Sequence, residues 1–392
     1  MNALPSNPQL DTPTAAAHAE SMLAYTRAGE ARVAAIGNRG PARFDANGKL
    51  DPDILAAYWE HGFYVFEGVV SEAEVKALRE CTLDLIERAP VRKGAELDAR
   101  GRPAFGRDLA RETYTLVRPL SDPWGGTELL GGRHPHRMVQ PQAAKDAPET
   151  VVYLMHGMCQ AMPPALRLYG HPDLLGIAAS VNGDDFVPFN DAIFVKQPGL
   201  GGAVSWHQDG VTHWNSPDWD EGIHGFNFQV QLYRTTAANC LWVVPGTHKL
   251  GRIDIKSRIQ DNGGSELLPD AVPLLCEPGD VTIVNRQMLH GSFANTSPDF
   301  RLSITFGFHR RASVLGAKAA LSMASDETHY DEERVFARSA VIAVAVDARR
   351  QHFPDEPTFQ YQPFRGLEDD YRWNDETFER VIRNYNTRDL AI

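Results

Sequence analysis

His207 and Asp209 stand two residues apart in the stretch SWHQDGVTHW, residues 205–214. On a β-strand, side chains two positions apart point to the same face, so one imidazole and one carboxylate would converge on a single point. That arrangement supplies two ligands of a metal site. The pair alone does not distinguish a metal site from a polar aromatic turn, and the metal hypothesis requires a third ligand.

His290 is the predicted third ligand. It ends an apolar strand that a PGD turn at 278–280 begins, and a second strand follows from Arg301. Two histidines and one carboxylate on a rigid β scaffold form the facial triad suited to non-haem Fe(II), which leaves three coordination positions for substrates and O₂. These open positions predict a catalytic site rather than a structural one.

Arg301 begins a strand on which Ser303 and Thr305 share its face. A guanidinium inside a β-barrel is costly unless it is paired, and its planar fork suits a small carboxylate bound through both oxygens near the metal. Ser292, two residues after His290, offers a hydroxyl to the same carboxylate. The sequence therefore predicts a carboxylate-binding site beside the metal.

With these residues in place, the chain resembles the phytanoyl-CoA dioxygenase family of Fe(II)/2-oxoglutarate-dependent oxygenases over roughly residues 50–312. His290, Ser292 and Arg301 follow the spacing of that family. The other matching segments are GFYVFEGVVSEAEVKALR (62–79), VKQPGLGGAVSWHQD (195–209), VVPGTHK (243–249) and PGD (278–280). The segment TTAANCL departs from the family pattern, because Asn239 replaces the usual glycine.

The resemblance implies roles for these residues. His207, Asp209 and His290 would hold Fe(II), and Arg301 with Ser292 would hold the distal carboxylate of 2-oxoglutarate. The implied reaction uses O₂ to oxidise an unactivated C–H bond of a small organic metabolite, by default through hydroxylation, while 2-oxoglutarate becomes succinate and CO₂. Asp209 argues against the halogenating relatives, in which a small residue replaces the carboxylate ligand.

Two other functions stay open at this point. A mononuclear metal hydrolase or isomerase on a β-barrel also uses mixed histidine and aspartate ligands. A catalytically silent metal-binding protein is the third possibility. Arg301 and Ser292 favour the oxygenase, because a hydrolase does not need a buried site for a dicarboxylate.

The predicted substrate contacts are His213 and Trp214, just after the ligands, and Gln229 and Gln231. These glutamines alternate with apolar residues in the strand FNFQVQLYR, and the sequence does not decide which face looks inward. The alternative for each of these four residues is a purely structural position, either packed in the core or exposed on the surface. Other aromatic and histidine residues are predicted to have structural roles only: Trp242 in the core, His248 in a turn and His309 at a solvated strand end.

The elements that must position these residues are short β-type runs between about 190 and 310, separated by turn signals. They predict a mostly β core with flanking helices, folded as a double-stranded β-helix (a cupin-like jelly-roll barrel). We expect an N-terminal extension over 1–48, the oxygenase domain over 49–312 and a helical C-terminal extension over 313–392. Residues 90–150 are expected to form loops that border a cleft, and 150–168 to form a helix.

The amino-acid composition limits the kinds of partner and the cellular setting that we expect for this protein. The net charge of −12 and the lack of a long basic stretch argue against nucleic acid. Four dispersed cysteines without a CxxC pair, no secretory signal and no membrane-length apolar run favour a reducing, cytoplasmic setting without membrane contact. Only scattered arginines between 92 and 118 could receive the phosphates of an acyl-CoA, so a small-molecule metabolite is favoured. The terminal extensions allow a homo-oligomer.

Overall fold

The computed structural model describes residues 12–209, 225–317, 329–383 and 385. Within them, two β-sheets form the centre. The strands of the larger, eight-stranded sheet are, in spatial order, β1 (Arg39–Gly40), β2 (Phe63–Phe66), β10 (Val281–Asn285), β7 (Gly225–Gln231), β12 (Arg301–His309), β5 (Val187–Lys196), β4 (Val151–His156) and β3 (Tyr114–Val117). The smaller, four-stranded sheet has the order β6 (Val204–His207), β11 (His290–Ser292), β8 (Trp242–Val243) and β9 (Val272–Pro273).

Neighbouring strands are antiparallel, apart from the parallel pair β1 and β2. The two sheets are surrounded by helices. These are α1 (Ala15–Ile36), α2 (Pro52–His61), α3 (Glu72–Glu87), α4 (Met158–Ala161), α5 (Pro163–Tyr169), α6 (Pro172–Asn182), α7 (Ile255–Asp261), α8 (Arg311–Val314), α9 (Glu332–His352) and α10 (Asp375–Thr377). The prediction of a mostly β core of jelly-roll type with flanking helices is confirmed.

Strand β7 shows how the larger sheet separates its faces. Phe226, Phe228 and Val230 are fully buried in the main apolar core, which the sheet shares with residues of α5, α6 and α9. The alternate residues, among them Gln229 and Gln231, point to the other face. The sequence left this orientation open, and the structure turns the polar face toward the inside of the two-sheet core.

The C-terminal helix α9 packs against α5 and against β5. Its Arg349 pairs with Glu74 of α3 over 2.7 Å, and also with Glu356. Ser71 caps α3, since its hydroxyl oxygen accepts a hydrogen bond from the Glu74 N–H. The C-terminal helix thus contacts both the helical layer and the larger sheet.

The N-terminal helix α1 packs on the smaller sheet. Tyr25 stacks on Trp242 of β8 with ring centroids 4.7 Å apart, and the Arg32 guanidinium donates to the Ala271 carbonyl over 2.7 Å. Division of the chain at residues 48 and 312 stays a prediction. No helix in the described part of the chain combines the length and the hydropathy needed to cross a lipid bilayer.

Three expectations about secondary structure were wrong. Residues 150–168 are not one helix, because VVYLMH forms β4 between β3 and β5, and only then do the short helices α4 and α5 follow. A continuous apolar run fits a buried strand and a buried helix equally, and here strand pairing decides. The stretch 90–150 also contains β3, and α7 lies between β8 and β9, where only strands were expected.

Candidate metal centre and the cavity beside it

The predicted ligand residues meet on the smaller sheet. His207 ends β6 and His290 begins β11, and the two are direct partners in the antiparallel register. Asp209 follows β6, with Oδ1 3.5 Å from His207 Nε2 and Oδ2 3.6 Å from His290 Nε2. All three residues are buried, and one ligand atom from each lies within 4.8 Å of the others. Among the described residues, this is a group that could hold a metal ion.

Both imidazoles are oriented by the backbone two residues earlier in the chain. His207 Nδ1 lies 2.8 Å from the Ser205 carbonyl oxygen, and His290 Nδ1 lies 2.9 Å from that of Met288. A carbonyl only accepts, so each Nδ1 carries the proton and donates it. Each Nε2 therefore presents its lone pair toward Asp209. Burial lowers the pKa of His290 to about 4, which keeps this imidazole neutral.

Asp209 is held by three neighbours that the sequence did not reveal. Arg133 Nη1 contacts Oδ1 over 2.9 Å, Asn227 Nδ2 donates to Oδ2 over 2.7 Å, and Arg286 Nη2 donates to the main-chain carbonyl over 3.1 Å. Burial alone would raise the pKa of the Asp209 carboxyl, but the Arg133 guanidinium beside it outweighs burial and holds that pKa well below its usual range. The carboxylate is ionised, as a metal ligand must be.

His134 covers the first ligand. Its ring stacks on that of His207 with centroids 4.0 Å apart, and its Nδ1 lies 3.1 Å from the same Ser205 carbonyl. Burial lowers the pKa of His134 well below the usual value. Arg133 and His134 belong to a loop rich in glycine and arginine, and the sequence offered no periodic signal for them. Asn227 could have been found, because it shares its face with Gln229 and Gln231.

Arg301 is fully buried and forms hydrogen bonds to neutral groups. Its Nε donates to Ser303 Oγ over 2.9 Å, and its Nη2 donates to Gln229 Oε1 over 3.0 Å. Its Nη1 lies 3.3 Å from the Asn239 carbonyl oxygen. No carboxylate of the described residues lies within 4.0 Å of this guanidinium. Burial lowers its pKa to about 10, and it stays a cation that has no counter-ion among the described residues.

A cavity of about 200 Å³ joins Arg301 to the three candidate ligands. Ser292, as predicted, lines it, and so does Gln229. Gln231 does not line the cavity. Its Oε1 accepts a hydrogen bond of 2.6 Å from the hydroxyl of Ser303, the residue that contacts Arg301. Apolar residues form much of the remaining wall: Trp124, Leu130, Leu154, Ala192, Phe194, Val204 and Leu241. The loop stretch 90–150 contributes Arg111, Trp124, Leu130 and Arg133, and so borders a cleft as expected.

Other predicted positions have separate outcomes. His213 and Trp214 lie outside the described residues. Trp242 is buried core, as expected, and Trp206 is buried too, with its indole N–H donating to the Glu266 carbonyl over 2.8 Å. His248 lies in the turn that follows β8, where Nε2 donates to the Trp59 carbonyl over 2.9 Å.

The prediction for His309 was wrong. This residue is not a solvated strand end, because β12 continues through it and leaves it 1% exposed. Its ring contacts the Arg286 guanidinium, which in turn donates to the Asp209 carbonyl. The charged neighbours Arg310 and Arg311 made the segment look solvated. Pairing of β12 with β5 and β7 extends the buried strand to this point.

Comparison with known proteins identifies the family. The family described as phytanoyl-CoA dioxygenase (PhyH) matches residues 58–303. Phytanoyl-CoA dioxygenase 1 of Oryza sativa subsp. japonica is 32% identical over 117 residues, which cover 28% of this chain and 40% of the rice protein. Phytanoyl-CoA dioxygenase of Arabidopsis thaliana is 23% identical over 262 residues, covering 65% of this chain and 87% of the relative.

Solved structures give weaker matches. EctD from S. alaskensis with 2-oxoglutarate and 5-hydroxyectoine aligns with a TM-score of 0.48 at 19% identity, over 70% of this chain and 81% of that one. AviO1 from Streptomyces viridochromogenes aligns with a TM-score of 0.45 at 19% identity, over 72% and 96%. The family match, which covers more than half of the chain, decides the classification. The chain belongs to the phytanoyl-CoA dioxygenase family of Fe(II)/2-oxoglutarate-dependent oxygenases.

Proposed function

We propose that this protein is a dioxygenase that hydroxylates an unactivated C–H bond of a small organic metabolite. In this proposal His207, Asp209 and His290 hold Fe(II), and Arg301 with Ser292 holds the distal carboxylate of 2-oxoglutarate. One observation supports it above the others: the candidate metal ligands and a buried arginine without a counter-ion open on the same cavity. A metal hydrolase would leave Arg301 without a purpose.

The donor set fits Fe(II). Two imidazoles whose Nε2 atoms face one ionised carboxylate form a facial set, and oxygen and nitrogen ligands of this kind suit non-haem iron. Orientation of each imidazole by a backbone carbonyl is the supporting contact that metal-binding histidines use. The protein backbone therefore supplies the contacts that orient both imidazole ligands.

Arg301 fits 2-oxoglutarate in the same way. Its hydrogen bonds to Gln229 and Ser303 fix the plane of the guanidinium, and a carboxylate bound there would neutralise a charge that is otherwise buried alone. The hydroxyl of Ser292 lines the cavity on the opposing sheet. When bound, Fe(II) and 2-oxoglutarate supply the activation of O₂ that oxidises the substrate, with release of succinate and CO₂.

The substrate is proposed to be a small metabolite rather than an acyl-CoA. Two of the arginines between 92 and 118 are engaged by carboxylates outside the cavity: Arg100 by Glu87 over 2.6 Å, and Arg107 by Glu96 over 2.8 Å. With a net charge of −12, the chain offers little attraction to a polyanion. A largely apolar cavity suits a compact organic molecule better.

The decisive experiment is to titrate the protein with Fe(II) and 2-oxoglutarate under anaerobic conditions. The readout is the visible charge-transfer band of a keto acid chelated to iron. We expect the band in the wild-type protein and its loss in Asp209→Ala. Asp299→Ala, at a carboxylate in the turn before β12, is the matched control and should keep the band. Absence of both the band and 2-oxoglutarate binding in the wild-type protein would contradict the proposed function.

A further inference from the structure

Arg111 lines the cavity at the corner away from Arg301. One row of side chains crosses the larger sheet through directly paired residues, from His156 of β4 through Ala192 and Thr305 to Gln229. Arg111, which precedes β3, lines the cavity together with His156 at the start of this row. Strand spacing places β4 and β12 about 10 Å apart, and Thr305 lies about 13 Å along β12 from Arg301. The two arginines therefore occupy different ends.

Three buried polar atoms at this end have no hydrogen-bond partner among the described residues. Arg111 Nη1 and His156 Nδ1 are both shielded from solvent and form no hydrogen bond within the described structure. Thr305 Oγ1, on the same row, is buried without a partner as well. No carboxylate oxygen of the described residues lies within 4.0 Å of the Arg111 guanidinium. Groups of this kind are costly to bury unless a ligand satisfies them.

His156 is set up as a neutral donor. Its Nε2 lies 3.5 Å from the Thr115 hydroxyl, which can donate to it and so leave the proton on Nδ1. Burial and the nearby Arg111 lower the pKa of His156 to about 3. Arg111 therefore carries the positive charge at this end of the cavity.

We propose that the substrate is an amphipathic organic monoacid whose carboxylate binds Arg111 and accepts a hydrogen bond from His156. This rests on the proposed function, because it describes the substrate of the same site. A guanidinium recognises a carboxylate through paired hydrogen bonds. The apolar body of the acid would contact Trp124, Leu154 and Phe194, which line the cavity with these two residues.

Asp191 restricts the charge of the ligand. Its carboxylate lines the same cavity and interacts electrostatically with Arg111, and it accepts the Cys159 N–H over 3.2 Å. Because the charges of Arg111 and Asp191 already offset each other, a phosphate dianion would meet about twice the repulsion from this carboxylate that a monoanion meets. The proposal therefore selects a carboxylate over a phosphate monoester.

The test is isothermal titration calorimetry of the Fe(II)-loaded protein in the absence of O₂. Saturating 2-oxoglutarate is present, so that it occupies the carboxylate site at Arg301. The probes are aryl- and alkyl-substituted monocarboxylic acids of graded length, their methyl esters and the matching phosphate monoesters. We expect at least one acid to bind roughly tenfold or more tightly than its ester and its phosphate analogue. Arg111→Met should remove this preference, and Arg111→Lys should retain part of it.

Arg107→Met is the matched control, because Arg107 is an exposed, ion-paired arginine four residues away. It should keep the preference for acids. Absence of binding by every acid, equal binding of acids and esters, tighter binding of the phosphates, or an unchanged preference in Arg111→Met would overturn the proposal. If 2-oxoglutarate itself fails to bind while acids still depend on Arg111, the proposed function fails and this anion site stands.

Discussion

Asn227 donates a hydrogen bond of 2.7 Å to Asp209, and this contact joins the two sheets at the metal centre. Asn227 lies on β7 of the larger sheet, whereas Asp209 follows β6 of the smaller sheet. The bond fixes one carboxylate oxygen, and Arg133 contacts the other over 2.9 Å. The spacing between the sheets thereby sets the orientation of the only acidic residue in the predicted ligand set.

Replacement of Asn227 by leucine is expected to weaken metal binding by roughly 10- to 100-fold, because contacts that orient metal ligands have effects of this size. The measurement is titration of the apo protein with Co(II), read by calorimetry, so that activity is not required. Asn47→Leu, at an exposed position, is the control. Equal affinities of the two variants would show that Arg133 and the backbone suffice to orient Asp209.

Arg301→Met is expected to remove most of the stabilisation that 2-oxoglutarate confers. A ligand at 100 times its Kd raises the free energy of unfolding by about 2.7 kcal/mol, and a roughly 100-fold loss of affinity reduces this to a few tenths. The measurement is the shift in Tm on addition of 2-oxoglutarate to the metal-loaded protein. Arg234→Met, at an exposed ion pair with Glu277, should behave like the wild type. A wild-type shift in Arg301→Met would show that the distal carboxylate binds elsewhere.

Local pattern was enough to predict part of the candidate site. His207 and Asp209 share a strand face through a period of two, and the same rule groups Arg301 with Ser303. Which face of β7 looks inward depends on the helices packed against the sheet, and the strand sequence alone does not contain that information. From the sequence, Gln229 could therefore face either the inside of the core or the surface. Its hydrogen bond to Arg301 shows that it faces the inside.

Contacts between distant segments could not be predicted. Arg133 reaches Asp209 from an irregular loop, and no periodicity marks a loop residue. Arg111 and His156 come together only because β3 and β4 pair in a particular register, and β4 itself was mistaken for a helix. A short apolar run does not specify its partner strand, so the far end of the cavity was not expected.

Stability should depend on pH through His248, which is buried in its turn. Burial lowers its pKa from 6.5 to about 4 in the folded state. Between these values the unfolded chain binds more protons than the folded chain, so the free energy of unfolding falls as pH falls. His248→Gln, which keeps a donor for the Trp59 carbonyl, should reduce this slope by up to about 1.4 kcal/mol per pH unit.

The slope is measured by urea unfolding of the apo protein at a series of pH values across that range. Other buried histidines, including His290 and His156, contribute to the wild-type slope as well, so the informative quantity is the difference between variant and wild type. His329→Gln, at an exposed position, is the matched control and should leave the slope unchanged. An identical slope in His248→Gln would mean that this imidazole binds protons equally in the folded and unfolded states, so that burial does not lower its pKa.

Gly29→Ala tests whether α1 is an integral part of the fold. Helix propensity alone predicts that this change stabilises an exposed helix by about 1 kcal/mol. In this structure, however, the added Cβ would lie 2.6 Å from Trp242 Cζ3, in a ring that is fully buried against Tyr25 and Phe293.

Overpacking of this kind costs about 1–3 kcal/mol, so we expect Gly29→Ala to lower the free energy of unfolding. Chemical denaturation measures the change. Ala28→Gly, at the exposed neighbouring position of α1, supplies the propensity effect alone and should cost about 1 kcal/mol. If Gly29→Ala instead stabilises the protein, the helix does not pack on β8 in solution, and residues 1–48 behave as a separate extension.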